Sequence, residues 1–148
     1  MEYFLRNVCI NDKQFVYETK KASIKKYIAM IWGWNEEHQS NLFEEDFILL
    51  NNFKIICSAN EEIGYLETYE NDTLINITEI HIHADFQGKG FGSKIIRDIV
   101  HQAKNKNKKV TVGSFKENKG AVKLYTTLGF KIVNETDTHF LFEYNFVV

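Results

Sequence analysis

The chain has 148 residues, of which 44% are hydrophobic, and a formal net charge of −2. That length suits a single domain spanning 1–148, large enough to bury a core without disulfides or a structural metal. The near-neutral balance gives no bulk electrostatic basis for binding nucleic acid or a membrane surface, and no stretch approaches the ~18 apolar residues of a membrane span.

The first run, "YFLRNV", reads as a short strand. Asn11 or Asp12 is placed to cap a helix in which Ile24, Tyr27, Ile28 and Ile31 recur at i, i+3, i+4 and i+7, and which should end near Gly33. "EEHQSNLFEEDF" fits a second short helix. Two strand-like runs follow, "FKIICSA" and "IGYLETYE", joined by a hairpin at Asn60-Glu61-Glu62, with another turn at Asn71-Asp72. Cys9 and Cys57 lie far apart in apolar runs, lack the paired spacing of a zinc or redox motif, and read as small core residues. The opening "MEYFLRNVC" has no long apolar stretch of a secretory signal, so a soluble, cytoplasmic protein in a reducing compartment is expected. The absence of proline and the abundance of Lys, Asn and Ile hint at an AT-rich bacterial source.

Leu74 to His83 (LINITEIHIH) contains a break in pattern. Ile75 and Ile77 share one strand face, but Ile80 and Ile82 have the opposite parity. A β-bulge between Thr78 and Glu79 restores one apolar face; burial of the strand on both sides is the alternative. Glycines follow at 88, 90 and 92, then a helical stripe of Ile95, Ile96, Ile99, Val100 and Ala103, then the strand "VTVGSF". This is a βαβ crossover. The basic run Lys104 to Lys109 reads as a solvated helix end. A last helix, with Ala121, Leu124, Tyr125 and Leu128 on one face, stops at Gly129, and a closing strand pair turns around Glu135 to Thr138. Hairpins beside a crossover imply a mixed sheet.

Glycines before a helix let backbone N–H groups approach an anion, where the helix dipole also favours negative charge. The loop does not fit a P-loop, because Gly88-Lys89 is followed by Gly90 and His83 stands where the first glycine belongs. It does not fit a dinucleotide fingerprint either: six residues counted from Gly88 end at Ser93, and six from Gly90 end at Ile95. It does fit Q-x-x-G-x-G, as Gln87, Gly88, Lys89, Gly90, Phe91, Gly92.

In these residues the chain resembles the GCN5-related N-acetyltransferase family, whose signature is [RQ]-x-x-G-x-[GA]. The specific motifs lie in residues 74 to 130. Downstream, "ENKGAVKLYTTLGFK" is similar to the family's N-x-x-A-x-x-L-Y-x-x-x-G-F, at Asn118, Ala121, Leu124, Tyr125, Gly129 and Phe130. Ala84 departs from the proline common among relatives, which should alter loop stiffness more than chemistry. The resemblance implies an α+β (α/β) single-domain fold: a mixed six- to seven-stranded sheet with helices on both faces and a bulged central strand. It also implies acetyl-CoA as acyl donor. Gln87, Gly88, Lys89, Gly90, Phe91 and Gly92 would hold the pyrophosphate in a nest of amides, Ile80, His81 and Ile82 would meet the pantetheine arm, and Ser93 and Asn118 fall in the cofactor-binding set.

Acetyl transfer to an amine needs a neutral nucleophile, a polarised carbonyl and a proton for the leaving thiolate. A lysine-like amine of pKa ~10.4 must lose a proton at a cost of roughly 4 to 5 kcal/mol at pH 7. By the resemblance, Glu79 is the candidate base, Tyr125 the acid, and an N–H near Ile80 the oxyanion donor; His81 is an alternative base or relay. Glu79, His81 and His83 share one strand face, but with all three on one strand and no supporting partner they read as an acceptor-site wall and no metal is expected. Trp32, Trp34, Glu36 and Glu37, in "MIWGWNEEHQ", could hold a cationic amine by cation–π contact and charge pairing; the alternative is two tryptophans anchoring the helix end beside exposed glutamates. The expected activity is transfer of an acetyl group to a small-molecule amine or a protein amino group, by a monomer or homodimer. Alternatives are a non-catalytic acyl-CoA sensor or scaffold of the same fold, and an enzyme using a longer acyl-CoA.

Overall fold

The computed structural model describes residues 2–146. Strand β1 (Phe4–Asn7) leads through a 3-10 turn into helix α1 (Lys13–Ile31), followed by α2 (Glu36–Phe47), β2 (Phe53–Ser58), β3 (Glu61–Glu70) and β4 (Leu74–Ile82). Helix α3 (Phe91–Asn105), β5 (Lys109–Phe115), α4 (Lys119–Thr127), β6 (Lys131–Glu135) and β7 (His139–Tyr144) complete the chain. The strand order is β1-β2-β3-β4-β5-β7-β6, a seven-stranded mixed sheet in which β4 and β5 are parallel and β1–β2, β2–β3, β5–β7 and β6–β7 antiparallel. The expected α+β architecture is therefore present. Two compact units divide the chain, one running to Glu67 and including Ile80–Gln87, the other comprising Thr68–Glu79 and everything from Gly88.

In the first unit the core is aromatic. Phe43 and Phe47 of α2 lie 5.2 Å apart, Phe47 meets Phe53 at 5.2 Å, Phe53 meets Tyr65 at 6.1 Å, and Tyr65 meets His81 at 5.3 Å. Such offset and edge contacts each add roughly 0.5–1.5 kcal/mol beyond area burial. Their consequence is positional, because the ladder links α2 to the C-terminal end of β4. Helix α1 behaves differently from the expected cap: Asp12 occupies the N-cap position, but its side chain makes no capping bond to the helix. It accepts two bonds from Arg6, at 2.8 and 2.9 Å, and one from the Cys9 amide at 2.8 Å. The Arg6 guanidinium holds the Asp12 carboxyl down at about 2, with the Cys9 amide assisting against desolvation. A depressed folded pKa contributes stability above the unfolded value that is lost as pH falls from ~3.9 toward the folded one. Asp12→Asn should therefore lower the melting temperature at neutral pH, and the gap from wild type should close between pH 4 and about pH 2; a gap independent of pH would assign the loss to packing instead.

The first hairpin turns earlier than Asn60-Glu61-Glu62. Ala59 and Asn60 carry φ of +48° and +67°, and Glu61 and Glu62 already belong to β3. Two successive left-handed residues make the tight turn whose twist matches the flanking strands, which is why the loop is shorter than the hydrophilic run. Cys9 is also exposed rather than in the core, whereas Cys57 is buried as expected.

The second unit is aliphatic. Ile95, Ile96, Ile99 and Ala103 of α3 are buried, with Val110 and Val112 of β5 and Phe142 of β7, and α3 packs on β5. Each fully buried isoleucine is worth roughly 1.5–3 kcal/mol relative to exposure. The helix ends at Asn105, after which Lys106 and Lys108 both reach Glu70, at 3.1 and 2.7 Å. In β4, alternation holds as far as buried Ile77 and exposed Thr78, after which Glu79 to Ile82 are all half-buried. Pairing with β5 runs from Leu74↔Lys109 to Ile77↔Val112. The sequence break at Thr78 thus coincides with the end of that ladder.

Candidate functional site

The glycine loop, in the second unit, has the conformation its composition requires. Gly88 and Gly90 have φ of +73° and +91°, and Gly90 is the N-cap residue of α3. A left-handed N-cap turns the chain sharply, so the first-turn amides of α3 point out of the helix end. Gly92 is different: its φ is ordinary, and a Cβ there would meet only the Leu124 side chain at 3.9 Å. Neither sterics nor backbone conformation demands glycine at 92. Phe91 is buried and anchors the helix start, while Ser93 is half-buried and Lys89 exposed. Helix α4 begins in the same unit, where Asn118 Oδ1 accepts from the Ala121 amide at 3.1 Å, so its observed role is a cap.

Tyr125 projects from α4 into the second core, its ring 5.3 Å from Phe142 and 5.9 Å from Phe130. Burial pushes its phenol up to about 12, so it keeps its proton throughout the neutral range. The hydroxyl makes no hydrogen bond among the described residues. Ser114 Oγ is the one fully buried side-chain oxygen without a partner among the described residues. A phenol that keeps its proton is a candidate acid. Glu79, half-buried on β4, belongs to this unit too.

The first unit carries the other candidates. Ile80, His81 and Ile82 are half-buried in the last turn-free segment of β4, with the His81 ring on Tyr65. His83 is exposed and caps a 3-10 turn over Ala84–Phe86, its Nδ1 accepting from the Asp85 amide at 3.3 Å. Gln87 Nε2 donates to the Ile82 carbonyl at 2.7 Å, and its own amide donates to the Ala84 carbonyl at 3.2 Å. That corrects the extent of the nest: the Gln87 N–H is already committed, and the side chain ties the loop to β4. Among the described residues no group of three His, Cys, Asp or Glu is arranged to hold a metal ion.

Between the helix ends, a hollow of about 410 Å³ is lined by Ile28, Trp32, Gly33, Asn35, His38 and Gln39. Trp34 and Glu36 form a closed cluster beside it. Glu36 accepts from Trp34 Nε1 at 2.6 Å, Tyr17 hydroxyl at 3.0 Å and Lys21 Nζ at 3.1 Å, and Lys25 stands over the Trp34 ring at 5.5 Å. The bond from Trp34, then that from Lys21, lowers the Glu36 carboxyl below its usual range. Trp32 and Glu37 remain exposed. Two residues escaped the sequence analysis. Gly64 stands inside β3, where a Cβ would overlap the His81 carbonyl oxygen; an isolated strand glycine is the signal for such close approach. Ser114 follows Val110 and Val112 on one face of β5, a hydroxyl where the pattern wants an apolar side chain.

A glycine loop at positive φ opening a helix, after a central strand whose parallel ladder stops early, defines an α+β protein with a candidate anion site at the start of α3. The chain belongs to the acetyltransferase (GNAT) family, whose model matches residues 16–130. It is 27% identical over 139 residues to an uncharacterised N-acetyltransferase of Methanocaldococcus jannaschii, covering 87% of this chain. The chain spans 61% of that relative's length. In fold it is similar to the PaiA N-acetyltransferase of Thermoplasma acidophilum in complex with coenzyme A, with a TM-score of 0.77 at 18% identity over 99% of this chain and 100% of that one. A GNAT acetyltransferase of Elizabethkingia anophelis with acetyl-CoA bound has a TM-score of 0.60 at 22% identity, over 69% of this chain and 82% of that one.

Proposed function

We propose that residues 1–148 form one N-acetyltransferase domain that transfers an acetyl group from acetyl-CoA to a primary amine of a small molecule or protein. The observation that carries the reading is the loop at Gly88 and Gly90, both at positive φ, opening α3 in a chain of the acetyltransferase family. The first-turn amides of α3 and the Gly88–Ser93 backbone hold the pyrophosphate, and Ile80, His81 and Ile82 offer main-chain groups to the pantetheine arm.

The amine nitrogen attacks the thioester carbonyl, the C–N bond forms, and the C–S bond breaks. Glu79 takes the proton from the amine, directly or through water or His81, and the leaving sulfur is met by the Tyr125 hydroxyl. Transfer from a phenol at about 12 to a thiolate of ordinary pKa ~8.5 is uphill by about 3.5 units, or ~5 kcal/mol. Tyr125 therefore acts first as a hydrogen-bond donor to the developing thiolate, and its proton moves fully only if bound substrate lowers its pKa. The acceptor lies against Trp32 and Glu37 beside the hollow; the closed Trp34–Glu36 cluster shapes that wall rather than binding the amine itself.

The test is release of free thiol from acetyl-CoA in the presence of polyamines, aminoglycosides, amino acids or peptides. Release that depends on one amine class supports the reading and names the acceptor. Failure of acetyl-CoA to raise the melting temperature, together with no release, overturns it.

A further inference from the structure

Ser114 is nine-tenths buried, and its Oγ has no hydrogen-bond partner among the described residues. Buried hydroxyls are nearly always satisfied, so one left unpaired points to a group absent from the protein itself. Its placement narrows that group. Val110, Val112 and Ser114 share one face of β5 and pair across the ladder with Tyr144, Phe142 and Phe140. The Tyr125 ring rests on Phe142, and Phe140 meets Phe142 at 6.1 Å on the same face. Ser114 therefore stands one strand repeat, about 6.7 Å, from the row that supports Tyr125. It also lies beyond Val112, the last β5 residue in register with β4.

We propose that Ser114 is a donor-binding residue, its hydroxyl donating a hydrogen bond to a carbonyl of the acyl-pantetheine arm of acetyl-CoA. The inference rests on the coenzyme reading above. The arm offers amide and thioester carbonyls, acceptors that suit a desolvated O–H with nothing else to bond. An apolar residue would fit the β5 face better in the free protein, so the hydroxyl serves the bound state.

The experiment is calorimetric titration of wild type, Ser114→Ala and Ser114→Cys with coenzyme A and acetyl-CoA, beside thermal melts of the free proteins. Ser114→Ala should bind acetyl-CoA about five- to tenfold more weakly, the worth of one neutral hydrogen bond. Ser114→Cys, with its weak donor, should fall between. Without ligand, Ser114→Ala should melt at the same temperature as wild type or higher, because an unpaired buried hydroxyl has been removed. A loss shared by coenzyme A assigns a pantetheine amide; a loss confined to acetyl-CoA assigns the thioester carbonyl. Equal affinities for all three proteins, with wild type binding normally, overturn the assignment and leave Ser114 a buried-water partner. Wild type failing to bind either ligand overturns the coenzyme reading, and this proposal with it.

Discussion

Tyr125→Phe should lower kcat by about 10²- to 10⁴-fold, the range a positioned proton donor supplies, while leaving the affinity for acetyl-CoA within about twofold. The split follows from the geometry. The ring is buried against Phe130 and Phe142, contacts that phenylalanine keeps, whereas the hydroxyl makes no hydrogen bond among the described residues. The melting temperature should therefore barely move. Single-turnover rates and coenzyme titrations on the same preparation separate the effects; an unchanged kcat would remove Tyr125 from the acid role. Because burial holds the phenol near 12, any alkaline loss of activity from its ionisation should appear well above pH 10 in the free enzyme. A profile that falls near pH 8 would belong to another group.

Gly64→Ala should be the most damaging small substitution in the first unit. The added Cβ would overlap the His81 carbonyl oxygen and stand 3.1 Å from the Ile82 Cα, and both obstacles are backbone, which no rotamer change can relieve. Either β3 and β4 part or both strands bend. Overpacking of this kind costs about 1–3 kcal/mol and more where nothing can yield, a fall in melting temperature of roughly 6–12 °C at ~3 kcal/mol for a protein of this size. The His83 amide, which donates to the Ile63 carbonyl at 2.7 Å, should exchange with solvent much faster. A melting temperature within 2 °C of wild type and unaltered exchange would mean the strands adapt at no cost. Under the proposed function the same contact matters to the site, since His81 and Ile82 would offer main-chain groups to the pantetheine arm.

Periodic features were legible in the chain. The α3 stripe of isoleucines, the α2 boundaries and the αL stop at Gly129 appear where spacing puts them, because local apolar period and glycine conformation decide them. The parity break in LINITEIHIH was visible too, and it falls where the β4–β5 ladder ends. Features that depend on distant partners were not. Asp12 looks like a helix cap until Arg6 is seen to take both of its oxygens. Glu36 looks available to a cationic substrate until Tyr17, Lys21 and Trp34 converge on it. The Gln87 amide looks like part of the nest until the Ala84 carbonyl claims it.

By itself, then, the sequence determined the order and type of the elements, the glycine loop before α3 and the motif residues around Tyr125, all of them set by spacing along one segment. Only the tertiary structure decided which polar groups are already spent and which keep hydrogen-bonding capacity. Hydrogen-bond capacity is consumed by whatever folding brings within about 3 Å, and sequence distance says little about that. Ser114 on β5 shows the difference: in the chain it is one serine among several, and in the fold it is a buried hydroxyl without a partner among the described residues.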